Sequence, residues 1–150
     1  MKFEDLRMNK QLENPSYDEI RALLKRVQNI AVVGLSASPM RPSHGVAKAL
    51  QGFGYRILPV NPGVTSVLGE QAYPTLSAVP ERIDLVDVFR ASKHVAGIVE
   101  ECIALKLPAL WLQDGVIDET ASLRAKAAGL QVVMNRCVYR DYTQLMSESA

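Results

Sequence analysis

The feature that most constrains this chain is an apolar stretch that runs directly into a glycine turn and then into a helix. Residues 29–33 read Asn-Ile-Ala-Val-Val, an uncharged run typical of a strand that is covered on both faces. Gly34 follows at once, and because glycine has no Cβ it allows another segment or a ligand to approach closely. A polar turn through Arg41 then leads to apolar residues at helical spacing up to Phe53. This succession presents unpaired N–H groups of a helix N-terminus to an anion.

Strands and helices alternate along the rest of the chain, which is typical of an α/β protein. The predicted strands are residues 29–33, 55–60, 83–89, 108–112 and 130–134. Predicted helices follow Ser16, Arg41 and Ser92, a fourth spans residues 118–128, and a short last helix lies within 139–146. We therefore expect a Rossmann-like, doubly wound parallel sheet of about five strands with helices on both faces, in the order 3-2-1-4-5 that right-handed crossovers favour.

Length and charge limit the classes of function. One domain spanning residues 1–150 is the simplest interpretation, with 1–15 and 147–150 loosely ordered. The 17 basic and 16 acidic side chains give a net charge of +1 without a basic run, so a nucleic-acid partner is not expected. No apolar run approaches the roughly 20 residues of a membrane span, and the start lacks the core of a signal peptide. A cytoplasmic location follows as an expectation.

The residues that follow the strands define the expected site, because ligands of open parallel sheets bind outside the carboxyl ends of the strands. This rim offers the hydroxyls of Ser36 and Ser38 and the guanidinium groups of Arg41 and Arg90, all of which can meet an anion. Asp114 is the one carboxylate on the rim, and neither histidine has an evident partner there. The sequence thus provides no acid–base or nucleophile set, which favours binding over catalysis.

A dinucleotide such as NAD fits the sequence poorly. The first turn holds one glycine where the Gly-x-Gly-x-x-Gly fingerprint needs three, and the second strand ends in Val60-Asn61-Pro62, without the acid that holds the adenosine ribose. An NAD site is therefore not favoured by either feature.

Several short segments carry a resemblance to a known family. They are residues 31–36, 41–43, 59–62, 86–90, 111–115 and 133–137. In type and order these segments resemble the stand-alone CoA-binding domain proteins, which are single-domain relatives of the N-terminal domain of the succinyl-CoA synthetase alpha subunit. The resemblance covers residues 17–145 and implies a Rossmann-like fold that binds coenzyme A at the switch point. Coenzyme A carries a diphosphate, a 3′-phosphate and a long neutral arm. An acid at the position of Asn61 would repel the 3′-phosphate, so its absence agrees with coenzyme A better than with NAD.

The resemblance also implies roles for individual positions. It places the first loop at the phosphates, Val60-Asn61-Pro62 at the adenine side, a basic contact at Arg56, and Leu112-Gln113-Asp114 at the pantetheine arm. With the rim residues, the expected ligand-binding set is Gly34, Ser36, Ala37, Ser38, Arg41, Arg56, Val60, Asn61, Pro62, Phe89, Arg90, Leu112, Gln113 and Asp114. The phosphorylated histidine of the synthetase belongs to a second domain that these residues do not include, so ligase activity is not implied.

Two functional interpretations remain open at this point. The leading one is non-catalytic binding of coenzyme A or an acyl-CoA by a sensor, a carrier or a docking module. The alternative is an enzyme that uses a dinucleotide or a CoA thioester, with Cys137 as a reactive thiol, since Cys137 follows the last strand beside Arg136. A site that has lost its ligand and serves as an interaction surface is a third possibility. The sequence leaves open whether a protein partner exists.

Overall fold

The structure is a computed structural model that describes residues 11–147. Its main sheet has five parallel strands, namely β1 (Asn29–Val33), β2 (Arg56–Val60), β5 (Leu85–Val88), β6 (Ala109–Leu112) and β7 (Gln131–Met134). A separate antiparallel pair is formed by β3 (Ser66–Val67) and β4 (Glu70–Gln71). The predicted fold class, a Rossmann-like sheet with helices on both faces, is confirmed.

Helices cover both faces of this sheet. They are α1 (Tyr17–Arg26), α2 (Pro42–Gly52), α3 (Val95–Ala104), α4 (Glu119–Ala127) and α5 (Val138–Ser147). Ser16 begins α1 with a capping box, in which its hydroxyl accepts from the Glu19 amide and the Glu19 carboxylate accepts from the Ser16 amide. Asp118 caps α4 in a similar way by accepting from the Ala121 amide. The predicted helix starts at these two positions are therefore confirmed.

The core is divided into two layers by the sheet. Alternate residues of each strand point to opposite faces, so that Ile30 and Val32 pack with α1, α2 and α5, whereas Ala31 and Val33 pack with α3 and α4. Trp111 lies fully buried on the first of these faces and donates its indole N–H to the Arg136 carbonyl over 2.8 Å. The central strands are uncharged, with the exception of Asp87, because both of their faces are covered.

The strand order corrects the prediction at one point. The sheet runs β2-β1-β5-β6-β7, so the third parallel strand along the chain pairs with the free side of β1 and not beyond β2. The connection that leaves β2 explains this order. Tyr73 forms a bridge with Val60, and its backbone exchanges hydrogen bonds with Pro59 and Asn61, so the connection itself occupies the outer edge of β2.

The two termini differ from the expectation of loose order as far as they are described. Residues 1–10 and 148–150, which that expectation included, lie outside the described residues. The expectation does not hold for Leu12 and Asn14, since the Leu12 amide donates to the Glu119 carboxylate and the Asn14 side chain both donates to and accepts from the backbone of Met134. Ser147 belongs to the last turn of α5. Within residues 11–147, no helix is both long enough and apolar enough to cross a membrane.

Candidate functional site

A cavity of about 670 Å³ opens at the carboxyl ends of β1, β5 and β6, on the side of the sheet that α2 covers. We call it the main cavity. This position is the switch point, where the chain continues from β1 to β2 on one side and β5 pairs on the other. Predicted residues that line it are Gly34, Ser36, Arg41, Asn61, Phe89, Arg90, Gln113, Asp114 and Cys137. Its size is within the usual range for small-molecule sites.

Gly34 is required by the protein itself at the base of this cavity. Its φ is +85°, and a Cβ at this position would lie 2.8 Å from the Phe89 carbonyl oxygen and 2.9 Å from Cδ of Arg90. The Gly34 amide donates to the Val60 carbonyl over 2.9 Å. The close approach inferred from the sequence is therefore made by the end of β5, and the Gly34 N–H is already used.

The turn between Gly34 and α2 is held by its serines. The Ser36 amide donates to the Ser43 hydroxyl over 3.0 Å, and the Ser38 amide donates to the Ser36 hydroxyl over 3.0 Å. Arg41, the residue before α2, gives the helix no side-chain cap, and Pro42 occupies its first turn. The N-terminus of α2 therefore faces the cavity without a side-chain acceptor, which suits an incoming anion.

Asn61 lies in the main cavity but is tied to the protein by its side chain. Its amide nitrogen donates to the Leu35 carbonyl over 2.9 Å, and its amide oxygen accepts from the Gly63 amide over 2.9 Å. A carboxylate at this position has no hydrogen to donate to Leu35. The absence of an acid after β2 therefore has a structural cause.

The far side of the cavity is formed by the turns after β6 and β7. Gln113 is buried, and its amide oxygen accepts from the Val138 amide over 3.2 Å at the start of α5. Asp114 forms a two-bond ion pair with Arg140 at 2.9 and 3.0 Å. These hydrogen bonds, and the charge of Arg140, hold the pKa of Asp114 below its usual range.

The two cysteines have different surroundings. Cys137 is partly buried and lines the main cavity. Cys102 lies on the buried face of α3, where burial raises the pKa of its thiol to about 12. Arg136, beside Cys137, binds the buried carboxylate of Asp141 at 2.6 and 2.8 Å and lies over the Tyr17 ring. Arg136 thus acts as a structural residue at this end of the site.

A second cavity of about 220 Å³ lies on the opposite face of the sheet, beside the start of α3. We call it the minor cavity. Arg90 lines both cavities, and its Nη2 lies 3.0 Å from Nε2 of His94. Val60 and Pro62 line the minor cavity and not the main one. Val60 and Pro62 therefore lie on the opposite face of the sheet from Asn61, although the same ligand-binding role was predicted for all three residues.

Asp87 is an isolated buried carboxylate in the middle of β5. By strand register it is flanked by Val32 and Trp111, and neither of its oxygens has a hydrogen-bond partner. Burial raises the pKa of Asp87 well above its usual range. Phe89, two residues further along and therefore on the same face, lines the main cavity, so Asp87 lies below the cavity floor.

The structure leaves some predicted residues outside both cavities. These are Ala37, Ser38, Arg56 and Leu112. Arg56 begins β2, at the opposite end of the sheet from the cavity, where it pairs with Glu81 at 3.0 Å and Glu70 at 3.5 Å. Leu112 is fully buried below Gln113.

Four residues of the main cavity were missing from the predicted set. They are Pro42, Ser43, Val46 and Val116. Ser43 and Val46 lie one helical turn apart at the start of α2, a spacing that could have shown that both face the same side. His94, for which the sequence shows no evident partner, is half-buried and hydrogen-bonded to Arg90. Nothing in the local sequence indicates that contact.

Comparison with known proteins gives consistent matches. A family model described as "CoA binding domain" matches residues 28–143. An uncharacterized protein, YneT of Bacillus subtilis, is 42% identical over 127 residues, which cover 85% of this chain and 94% of that protein. The structure of a hypothetical protein from Pyrococcus horikoshii superposes with a TM-score of 0.86 at 34% identity, covering 91% of this chain and 98% of that one.

A larger protein shares only one part with this chain. The ADP-forming acetate–CoA ligase I of Archaeoglobus fulgidus is 33% identical over 73 residues. That match covers 49% of this chain but 11% of the ligase. The similarity to the ligase therefore concerns a single region of that enzyme.

Proposed function

The chain belongs to the CoA-binding domain family, and from that premise we propose that it binds coenzyme A or an acyl-CoA in the main cavity, without catalysing a reaction of the ligand. The observation that carries the proposal is the start of α2, which has no side-chain cap and opens into the cavity beside Arg41. A helix N-terminus with an adjacent guanidinium group is well suited to a diphosphate.

The rest of the main cavity suits the neutral part of the ligand. Val46, Phe89 and Val116 supply apolar surface on its walls, and Gln113 supplies a polar side chain. A pantetheine arm combines apolar methylene and methyl groups with two amides, so it needs this mixture of contacts. The diphosphate would lie at α2, and the thiol end would point toward the turns after β6 and β7.

The side chains of the main cavity support the non-catalytic part of the proposal. Among the described residues that line it there is no histidine, and Asp114, its carboxylate, is engaged by Arg140. General acid–base catalysis needs a group that can exchange a proton near the operating pH, whereas the pKa of Asp114 is lowered. We therefore infer a sensor, a carrier or a docking module.

The proposal is tested by titrating coenzyme A into the protein by calorimetry, after native mass spectrometry has shown whether a ligand copurifies. Ser36→Glu places a negative charge beside the start of α2, and we expect at least a tenfold loss of affinity. Ser66→Glu is the matched control, because Ser66 is exposed on β3, outside the main cavity. Absence of heat with the wild type at millimolar coenzyme A, or equal binding by Ser36→Glu, would contradict the proposal.

The position of Cys137 favours a second candidate function, thiol exchange with the ligand. Cys137 lines the main cavity on the side where the thiol end of the ligand would lie. In this reaction the Cys137 thiolate attacks one sulfur of CoA disulfide, a mixed disulfide forms, and one coenzyme A thiolate leaves. The oxidant is the CoA disulfide itself, so the electrons balance without another reagent.

Intact mass after incubation with CoA disulfide tests this second function. The wild type should gain one coenzyme A mass that reductant removes, and Cys137→Ala should not. Cys102→Ala is the control and should label like the wild type, because the Cys102 thiol is buried and its pKa is raised. Equal labelling of Cys137→Ala and the wild type would eliminate the exchange reaction.

A further inference from the structure

Arg90 connects the two cavities on opposite faces of the sheet. It lines both of them, and its aliphatic part packs against Gly34 at the base of the main cavity. Arg90 as a whole is half-buried, and its guanidinium group makes no ion pair with a carboxylate among residues 11–147. The partner of this guanidinium group is a histidine ring nitrogen, which is an unusual acceptor for a permanent cation.

The contact between Arg90 and His94 determines the protonation of the histidine. Arg90 has only donor groups, so His94 Nε2, 3.0 Å from Nη2, must be the acceptor. An acceptor nitrogen carries no hydrogen, and His94 is therefore the neutral tautomer with its proton on Nδ1. Desolvation, followed by the charges of Arg90 and Lys93, lowers the pKa of His94 in agreement with this geometry.

The charged groups around His94 are few. Arg90 approaches it from the end of β5, Lys93 precedes it in the chain, and Glu101 faces the minor cavity from α3. The Glu101 carboxylate accepts from the Ser77 amide over 3.1 Å, so it is held at the 3₁₀ turn Leu76–Ala78. Arg90 and Lys93 therefore place two positive charges beside the neutral ring of His94 at the start of α3.

We propose that Arg90 and His94 form a proton-linked phosphate site, at which binding of a phosphate group of the ligand is coupled to uptake of one proton by His94. The inference rests on the proposed function, since it assigns part of the same ligand. A phosphate oxygen takes the Arg90 N–H that His94 accepts in the free protein. The released Nε2 takes a proton from solvent and donates it in a hydrogen bond to the phosphate, so one proton is consumed for each ligand bound.

This coupling fixes the sign of the pH dependence. The pKa of His94 is lowered in the free protein, and a neighbouring phosphate raises it in the complex. Between these two values the complex holds more protons than the free protein, so affinity for the ligand falls as the pH rises. The limiting slope for one proton is about tenfold in Kd per pH unit.

Calorimetry of coenzyme A binding near neutral pH, in buffers of different ionisation enthalpy, counts the protons taken up. We expect the wild type to take up more than His94→Gln, by up to one proton, because Gln accepts from Arg90 but cannot be charged. The titration of free coenzyme A is the same in both experiments and cancels in the difference. His44→Gln is the matched control, since His44 is the other of the two histidines and lines neither cavity.

The outcomes separate this inference from the proposed function. Equal proton uptake by the wild type and His94→Gln, with coenzyme A binding intact, would overturn the proton-linked site alone. Failure of the wild type to bind coenzyme A would overturn the proposed function and this inference with it. If the proton difference also appears with dephospho-CoA, the contact is with the diphosphate; if it disappears, the contact is with the 3′-phosphate.

Discussion

The turn after β1 and the turns after β6 and β7 border the same cavity, but they use their polar groups differently. In the first turn, the N-terminus of α2 lacks a side-chain cap, and Arg41 makes no ion pair among residues 11–147. In the later turns, Gln113 holds α5, Asp114 holds Arg140, and Asn135 accepts from the Gly115 amide over 2.7 Å. The first turn therefore has polar groups available for a ligand, whereas the later turns use theirs to stabilise the fold.

The largest expected effect on stability follows a substitution of Gly34, the residue of the first turn that packs against the end of β5. Gly34→Ala combines a positive φ with a Cβ that would lie 2.8 Å from the Phe89 carbonyl oxygen, and we expect a loss of about 4 kcal/mol in the free energy of unfolding. Thermal unfolding measures it. Gly45→Ala is the control, since Gly45 lies in α2 with nothing within 4 Å of a new Cβ, and there alanine should stabilise the helix. Similar stability of the two variants would contradict the assigned role of Gly34.

Substitution of Asp141, which pairs with Arg136 in the turn after β7, tests whether the polar groups of the later turns stabilise the fold. Asp141→Asn removes the charge that pairs with Arg136, and since Asp141 is 1% exposed we expect a loss of about 3 kcal/mol in the free energy of unfolding. Urea unfolding gives this value, and calorimetry should show little change in coenzyme A affinity. Asp114→Asn, which breaks a half-exposed pair, should cost much less. A large loss of coenzyme A affinity in Asp141→Asn without a loss of stability would contradict the structural role assigned to the later turns.

Asp87 lies on β5, between the two regions, and should make stability depend on pH. Because its folded-state pKa is raised, the folded state binds a proton that the unfolded chain releases above about pH 4, and stability falls as the pH rises from there. Asp87→Asn removes this loss and should stabilise the protein by about 2 kcal/mol at pH 7. Urea unfolding at pH 5 and pH 8 should show the greater gain at pH 8. An equal gain at both pH values would contradict the assigned cause.

Substitution of Arg41 should have the smallest effect on stability, and in contrast to Asp141 it should weaken binding of coenzyme A. Arg41→Ala removes a cation that contacts no carboxylate in the described chain, so the melting temperature should not change, while the Kd for coenzyme A should rise about tenfold. Lys48→Ala is the matched control, because Lys48 is an exposed cation on the same helix outside the cavity. If both variants bind alike, the first turn does not provide the phosphate contact.

Much of the fold could be predicted because its determinants are local. The apolar runs of 29–33 and 108–112 and the caps at Ser16 and Asp118 specify their own elements, and the switch-point rule then indicates the cavity. The strand order was wrong because it depends on where the 61–84 connection pairs. Tyr73 joins the edge of β2 through backbone groups, and a backbone contact has no residue signature.

The site could be located from the sequence better than it could be interpreted. Gly34, Asn61 and Gln113 line the main cavity, and their contacts with a ligand stay predictions. Each of them also has a structural task that depends on a partner distant in the sequence. The contact of His94 was missed for a different reason, since Arg90 is only four residues away but the hydrogen bond depends on the 3₁₀ turn Ser92–His94 that precedes α3. The position of Arg56 was inferred from resemblance alone, and β2 carries it to the other end of the sheet.

Both edge strands of the main sheet have part of their outer backbone covered by another segment of the chain. An exposed edge presents unpaired N–H and C=O groups that can recruit a strand from another molecule. Here the connection after β2 places Tyr73 along one edge, and Asn14 places its side-chain amide on the backbone of Met134 at the other. The segment around Asn14 thus covers part of the outer edge of β7. Removing it would expose backbone N–H and C=O groups of β7 to pairing with a strand of another molecule.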